Sequence, residues 1–110
     1  MQNWNSKSEL GQYLRELRNQ RNETLHQVSK GADIDSPMLS KIERGERLPT
    51  VEQLKRLATF YNVPEKTLNV KHTAEKILKE YGINETTYDA IQLVNEQIAP
   101  YITKSKGKKL

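Results

Sequence analysis

The sequence predicts an all-α protein in which a head of five short helices precedes a C-terminal helical hairpin. Two observations support this fold class. Apolar residues recur at intervals of three and four in successive segments, as on one face of a helix. Typical N-cap residues precede these segments, and Gly, Asn or Pro follows several of them. We expect three parts: the head at 1–69, the hairpin at 70–103 and a basic disordered tail at 104–110.

The composition narrows the functional classes. The 110 residues include no cysteine, which excludes disulfides, thiolate metal sites and thiol catalysis. No apolar run approaches the length of a membrane-spanning helix, and the first residues do not resemble a signal peptide, so we expect a cytoplasmic protein. The net charge of +4 permits an anionic partner. It is unevenly distributed, because residues 69–103 hold 3 Lys and Arg against 5 Asp and Glu.

The first predicted helix follows a short N-terminal arm. Ser6 and Glu9 have the spacing of a capping box, in which each residue hydrogen-bonds the backbone of the other. The helix has one apolar face with the spacing i, i+3, i+4, i+7, formed by Leu10, Tyr13, Leu14 and Leu17. We expect Trp4, in the arm, to pack onto the head.

Two short helices with a tight turn are predicted next. Thr24 and Gln27 form a capping box, and Asp33 provides a left-handed turn residue. Asp35 caps the following helix, which contains Pro37 in its first turn and ends near Gly45. Such a pair forms a helix-turn-helix unit, whose second helix lies in the DNA major groove.

A fourth helix completes the main part of the head. Thr50 and Gln53 form its capping box, and Asn62 is expected to end it in the left-handed conformation. Its predicted core face consists of Val51, Leu54, Leu57, Ala58 and Tyr61. The segment from Pro64 to Leu68 predicts a short fifth helix.

The hairpin has more apolar surface than two helices can bury between them. Gly82 separates its helices, and Asn84 caps the second one. We expect this surface to form a homodimer interface composed of Ile77, Leu78, Tyr81, Ile91, Val94 and Ile98. Packing within the chain and binding of a second protein are the alternatives.

Residues 10–68 resemble the lambda-repressor-like (Xre/Cro) helix-turn-helix family. The resemblance is carried by Leu14-Arg15-Glu16-Leu17-Arg18, Thr24 to Val28, Leu39-Ser40-Lys41-Ile42-Glu43-Arg44-Gly45, and Pro49-Thr50 followed by Leu54 and Leu57-Ala58. It implies a sequence-specific transcriptional regulator, a repressor or an autoregulator, which binds a double-stranded operator as a dimer and reads it with helix 36–44. The alternative is an antitoxin-like or partner-sequestering interaction module whose hairpin binds another protein.

The resemblance also implies roles for individual residues. It places Ser36, Pro37 and Lys41 at base-reading positions, and Lys41 is the best hydrogen-bond donor to guanine. Met38 is expected to be exposed beside them and to read bases as well, with Pro37 and Met38 offering apolar contact to a thymine methyl. The expected phosphate contacts are Thr24, Ser40, Arg44 and Arg47. Arg18 and Glu43 are expected to pair and to clamp the first helix to the recognition helix.

Catalysis has no candidate residues in this sequence. His26 and His72 are isolated, and no Gly-rich phosphate loop is present. Ser36 and Ser40 have no adjacent base. We therefore expect neither enzymatic activity nor a metal or cofactor.

Overall fold

The computed structural model describes residues 8–109, and this range is helical with no strand. The six helices are α1 (Glu9–Gln20), α2 (Leu25–Ala32), α3 (Ser36–Glu43), α4 (Val51–Tyr61), α5 (Glu65–Tyr81) and α6 (Glu85–Lys109). The predicted all-α class is confirmed. The chain divides into a first compact unit that ends at Ile77 and a second that begins at Leu78.

Local capping interactions define most helix ends in the first unit. Thr24 and Thr50 both form the predicted capping boxes, with Gln27 and Gln53. At the start of α1, however, the N-cap is Ser8, whose hydroxyl accepts from the Gly11 N–H at 2.9 Å. Glu9 is therefore the first helical residue, and the predicted box with Ser6 is wrong. Ser6 and Trp4 lie outside the described residues.

The core of the first unit combines side chains from α1 to α5. Its twelve buried apolar residues are Leu10, Leu14, Val28, Ala32, Ile34, Leu39, Ile42, Leu54, Leu57, Ala58, Tyr61 and Leu68. Tyr13 and Leu17 pack against this core while partly exposed. Val51, which was predicted to face inward, is 66% exposed because it occupies the first position of α4, beside the N-cap Thr50.

The fifth helix is much longer than predicted. It runs without interruption from Glu65 to Tyr81, so the expected break after Leu68 is wrong. No Gly or Pro lies in this segment, and extending a helix adds one hydrogen bond for each residue fixed. The boundary predicted at 69/70 therefore falls inside α5, whereas the chain divides into its two compact units between residues 77 and 78.

The second unit consists of the end of α5, a short turn and α6. Gly82 has a φ of +87°, as its predicted role in ending the helix requires, and Asn84 caps α6 by accepting from the Thr87 N–H at 2.9 Å. The α6 helix extends to Lys109. The segment predicted as a disordered tail therefore has a helical backbone from 104 to 109.

Candidate nucleic-acid interface

The α2–turn–α3 unit is held by interactions that its own sequence supplies. Asp33 adopts the left-handed conformation with a φ of +58°, and its N–H bonds the carbonyl of Ser29. Asp35 then starts α3 by accepting from the Met38 N–H at 2.8 Å. Ile34, between them, is buried in the core and anchors the turn. The predicted helix-turn-helix unit is confirmed.

One face of α3 is buried and the other is exposed. Leu39 and Ile42 lie in the core, each with 1% exposure. Pro37 and Lys41 are exposed on the remaining surface, so both stay available to a base edge. Ser36 is only half-exposed. The structure therefore separates a core-facing side of α3 from a free side that carries one cation.

Met38 differs from the sequence-based expectation of an exposed side chain. It is partly buried and packs against the core. Position 38 lies one residue before Leu39 in the helix, at the border between the buried and exposed faces, and a flexible thioether side chain readily follows apolar surface. Its predicted thymine contact would have to use the part that remains exposed.

The predicted phosphate-contacting residues differ in what their side chains already contact. The Thr24 hydroxyl accepts from the Gln27 N–H at 3.1 Å, within its capping box. Arg47 is exposed. Arg44 donates to the Ser40 hydroxyl and also to both carboxylate oxygens of Glu46, with Nε–Oε2 and Nη2–Oε1 distances of 2.8 and 3.1 Å. Ser40 and Arg44, two of the four residues predicted to contact phosphates, therefore belong to one hydrogen-bonded group that also includes Glu46.

Arg18 and Glu43 form the pair that the resemblance implied. Arg18 donates from Nε to Oε2 at 2.9 Å and from Nη2 to Oε1 at 3.0 Å, a bidentate geometry. The Glu43 side chain is 1% exposed, and the hydrogen bond to it raises the pKa of Arg18. A third bond, from Arg18 Nη1 to the Glu23 carbonyl at 3.1 Å, fixes the guanidinium further. These contacts connect α1, the segment before α2, and the end of α3.

Sequence reasoning missed two features of this connection. Arg15 lies 3.6 Å from the Glu43 carboxylate and adds a second cation; its position three residues before Arg18, on the same helix face, is the signal that could have identified it. Gly11 brings α1 against the end of α3. A Cβ there would lie 2.5 Å from the Glu43 carbonyl oxygen, so only glycine fits without a backbone shift.

The predicted dimer-interface residues lie at the end of α5 and along α6. Ile77 and Leu78 are half-buried. Tyr81, Ile91, Val94 and Ile98 are exposed by 44–64%. On α6 the exposed apolar positions 91, 94, 98 and 101 alternate steps of three and four, which places them on one face. The structure thus leaves the apolar stripe of α6 exposed.

No group of three or more His, Cys, Asp or Glu side chains that could hold a metal ion occurs among the described residues. Within the same range, no helix combines the length and apolar character needed to cross a membrane.

The fold and its α2–turn–α3 unit define a helix-turn-helix protein of the lambda-repressor-like type. The family model of the helix-turn-helix domain matches residues 9–69, more than half of the chain. The chain therefore belongs to the helix-turn-helix domain family.

Known proteins with this domain support the same assignment. The chain is 41% identical over 54 residues to the HTH-type transcriptional regulator SutR of Escherichia coli, covering 49% of this chain and 30% of SutR. It is 42% identical over 62 residues to the uncharacterized HTH-type transcriptional regulator RghRB of Bacillus subtilis, covering 56% and 45%. The chain thus spans less than half the length of these two relatives.

A solved structure has a similar fold over part of the chain. It is the restriction-modification controller protein C.AhdI from Aeromonas hydrophila, with a TM-score of 0.53 and 26% identity. The similarity covers 56% of this chain and 92% of that protein.

Proposed function

We propose that this chain is a transcriptional regulator that binds double-stranded DNA sequence-specifically, as a repressor or an autoregulator. The observation that carries the proposal is the two-sided α3. Its buried face is anchored by Leu39, Ile42 and the Glu43 ion pair, while Lys41 stays exposed on the opposite face. A recognition helix needs both properties, because it must be rigidly positioned and must still present donors to base edges.

In this proposal base reading and backbone positioning use different residues. Lys41 donates to guanine O6 and N7, with Ser36, Pro37 and the exposed part of Met38 contacting neighbouring bases. Backbone N–H groups at the start of α2, where Thr24 is exposed, contact a phosphate. Arg47 and the Ser40–Arg44 pair contact phosphates beyond the other end of α3.

We also propose that the chain acts as a homodimer through the apolar stripe of α6 and the end of α5. Ile91, Val94 and Ile98 are 44–49% exposed. Burying a large apolar side chain fully contributes roughly 1.5–3 kcal/mol, so covering this stripe provides a substantial driving force. A two-fold axis would cover the same stripe on both subunits and present two α3 helices to half-sites about 34–36 Å apart.

The experiment that tests the DNA proposal is selection of bound duplexes from a random pool, followed by salt-dependent binding to selected and random duplexes. We expect enrichment of a two-fold symmetric site, with selected DNA bound at least about 10³-fold tighter than random DNA at physiological salt. Equal affinity for both pools would reject sequence-specific regulation.

Sedimentation of the free protein and of its DNA complex tests the dimer. A monomer in both states would reject the dimer, and the exposed stripe would then favour the alternative function, in which the hairpin binds a different protein.

A further inference from the structure

The loop after α3 contains an acidic residue that the proposed DNA contacts do not explain. Glu46 receives two hydrogen bonds from the guanidinium of Arg44, at 2.8 and 3.1 Å. Both side chains are about half exposed, at 45% for Arg44 and 55% for Glu46. Arg44 also bonds Ser40, so its guanidinium already has acceptors on two of its edges. A residue proposed to hold a phosphate is thus held by a carboxylate of its own chain.

Charge and geometry both indicate that Glu46 occupies the position of an anionic ligand. A carboxylate and a phosphate present the same pair of oxygen acceptors to the fork of an arginine. The hydrogen bond between the two residues raises the pKa of Arg44 and lowers the pKa of Glu46. The positive charge of Lys41 lowers the pKa of Glu46 as well, so this carboxylate also lies in the field of the proposed base-reading residue.

We propose that Glu46 is an intramolecular competitor for Arg44 that weakens the hold of the protein on DNA phosphates. This inference rests on the proposed DNA-binding function. A phosphate reaches the guanidinium by exchanging with the carboxylate, and the displaced carboxylate then stays close to the negatively charged backbone. Exposed ion pairs are individually weak, so the exchange requires no unfolding.

The competition acts on every DNA sequence alike, because a phosphate contact carries no base information. Glu46 therefore lowers affinity for random and operator DNA by the same factor and leaves the ratio between them unchanged. The protein is therefore released more easily from the large excess of non-specific DNA sites, where electrostatic contacts supply essentially all of the binding free energy.

The test compares Glu46→Gln with Glu52→Gln by fluorescence anisotropy on selected and random duplexes over a range of salt concentrations. Glu52 is a matched control, since it is 64% exposed and also pairs with an arginine, Arg56. We expect Glu46→Gln to tighten binding to both duplexes by about three- to fivefold at low salt. The slope of log K against log salt should become steeper by about one. Glu52→Gln should have a smaller effect on both quantities.

A second pair of variants, which both carry Arg44→Gln, determines whether the effect of Glu46→Gln on DNA affinity depends on Arg44. In an Arg44→Gln protein, adding Glu46→Gln should give no more than the change seen with Glu52→Gln. The proposal is overturned if Glu46→Gln weakens binding, matches the control, or keeps its full effect without Arg44. Thermal melting of each variant confirms that it is folded. If the wild type bound neither duplex, the proposed function itself would be rejected.

Discussion

Glu43→Gln tests whether the buried ion pair holds the recognition helix in place. The substitution keeps the size of the side chain but removes its charge, leaving one carbonyl oxygen where the carboxylate offers two acceptors to the guanidinium of Arg18. Removing one partner of a buried ion pair costs roughly 3–5 kcal/mol. Because glutamine can still accept one of the two bonds from Arg18, we expect about 3 kcal/mol, the lower end of that range.

For a domain of this size, 1 kcal/mol shifts Tm by roughly 4–8 °C, so the expected drop is at least about 12 °C. Circular dichroism melting at neutral pH measures it, with the exposed Glu52→Gln as control, which should change Tm by a few degrees at most. Specific DNA affinity should fall as well, although a negative charge near DNA has been removed. Unchanged melting together with tighter binding would refute the structural role of Glu43.

Three further predictions concern base reading by Lys41, the pH dependence of stability and the formation of the dimer. Lys41→Ala should lose about 1–3 kcal/mol of specific affinity and little non-specific affinity, whereas Lys55→Ala on α4 should lose neither; an equal loss on both DNAs would make Lys41 a phosphate contact. Burial raises the pKa of Tyr61, so wild-type stability should be complete below pH 10 and fall above it, while Tyr61→Phe melts without this alkaline loss. If the stability of both proteins fell in parallel above pH 10, the alkaline loss could not be assigned to Tyr61. Ile91→Asp combined with Val94→Asp should yield monomers in sedimentation that keep helical heads but lose most specific affinity; a persisting dimer would place the interface elsewhere.

Features determined by a few neighbouring residues were predictable from the sequence. The left-handed residues Asp33 and Asn62, with φ values of +58° and +57°, stand where the predicted helix ends required them. The capping boxes formed by Thr24 and Thr50 depend on a spacing of three residues. Each of these interactions is complete within one helical turn, so the local sequence contains both partners.

Features formed by distant residues were not predictable in the same way. Ser8 Oγ donates to the buried carboxylate of Glu75 at 2.5 Å, across 67 positions, and no pattern in either segment indicates the other. The close approach of Gly11 to the end of α3 likewise depends on how two helices cross. The length of α5 was missed for a different reason, because the turn expected after Leu68 has no helix-breaking residue to form it.

The two glutamates that flank Arg44 and Gly45 show why burial, and not only proximity to DNA, decides the effect of a charge. Glu43 is 1% exposed and bonded to Arg18, so its removal leaves a partner uncompensated inside the protein. Glu46 is 55% exposed and bonded to Arg44, so its removal frees a cation at the surface without disturbing the core. The same Glu→Gln change, three positions apart, is therefore expected to weaken DNA binding at one site and strengthen it at the other. Measuring both variants in one DNA-binding assay distinguishes an acidic residue that holds the recognition helix in place from one that weakens DNA binding through its charge.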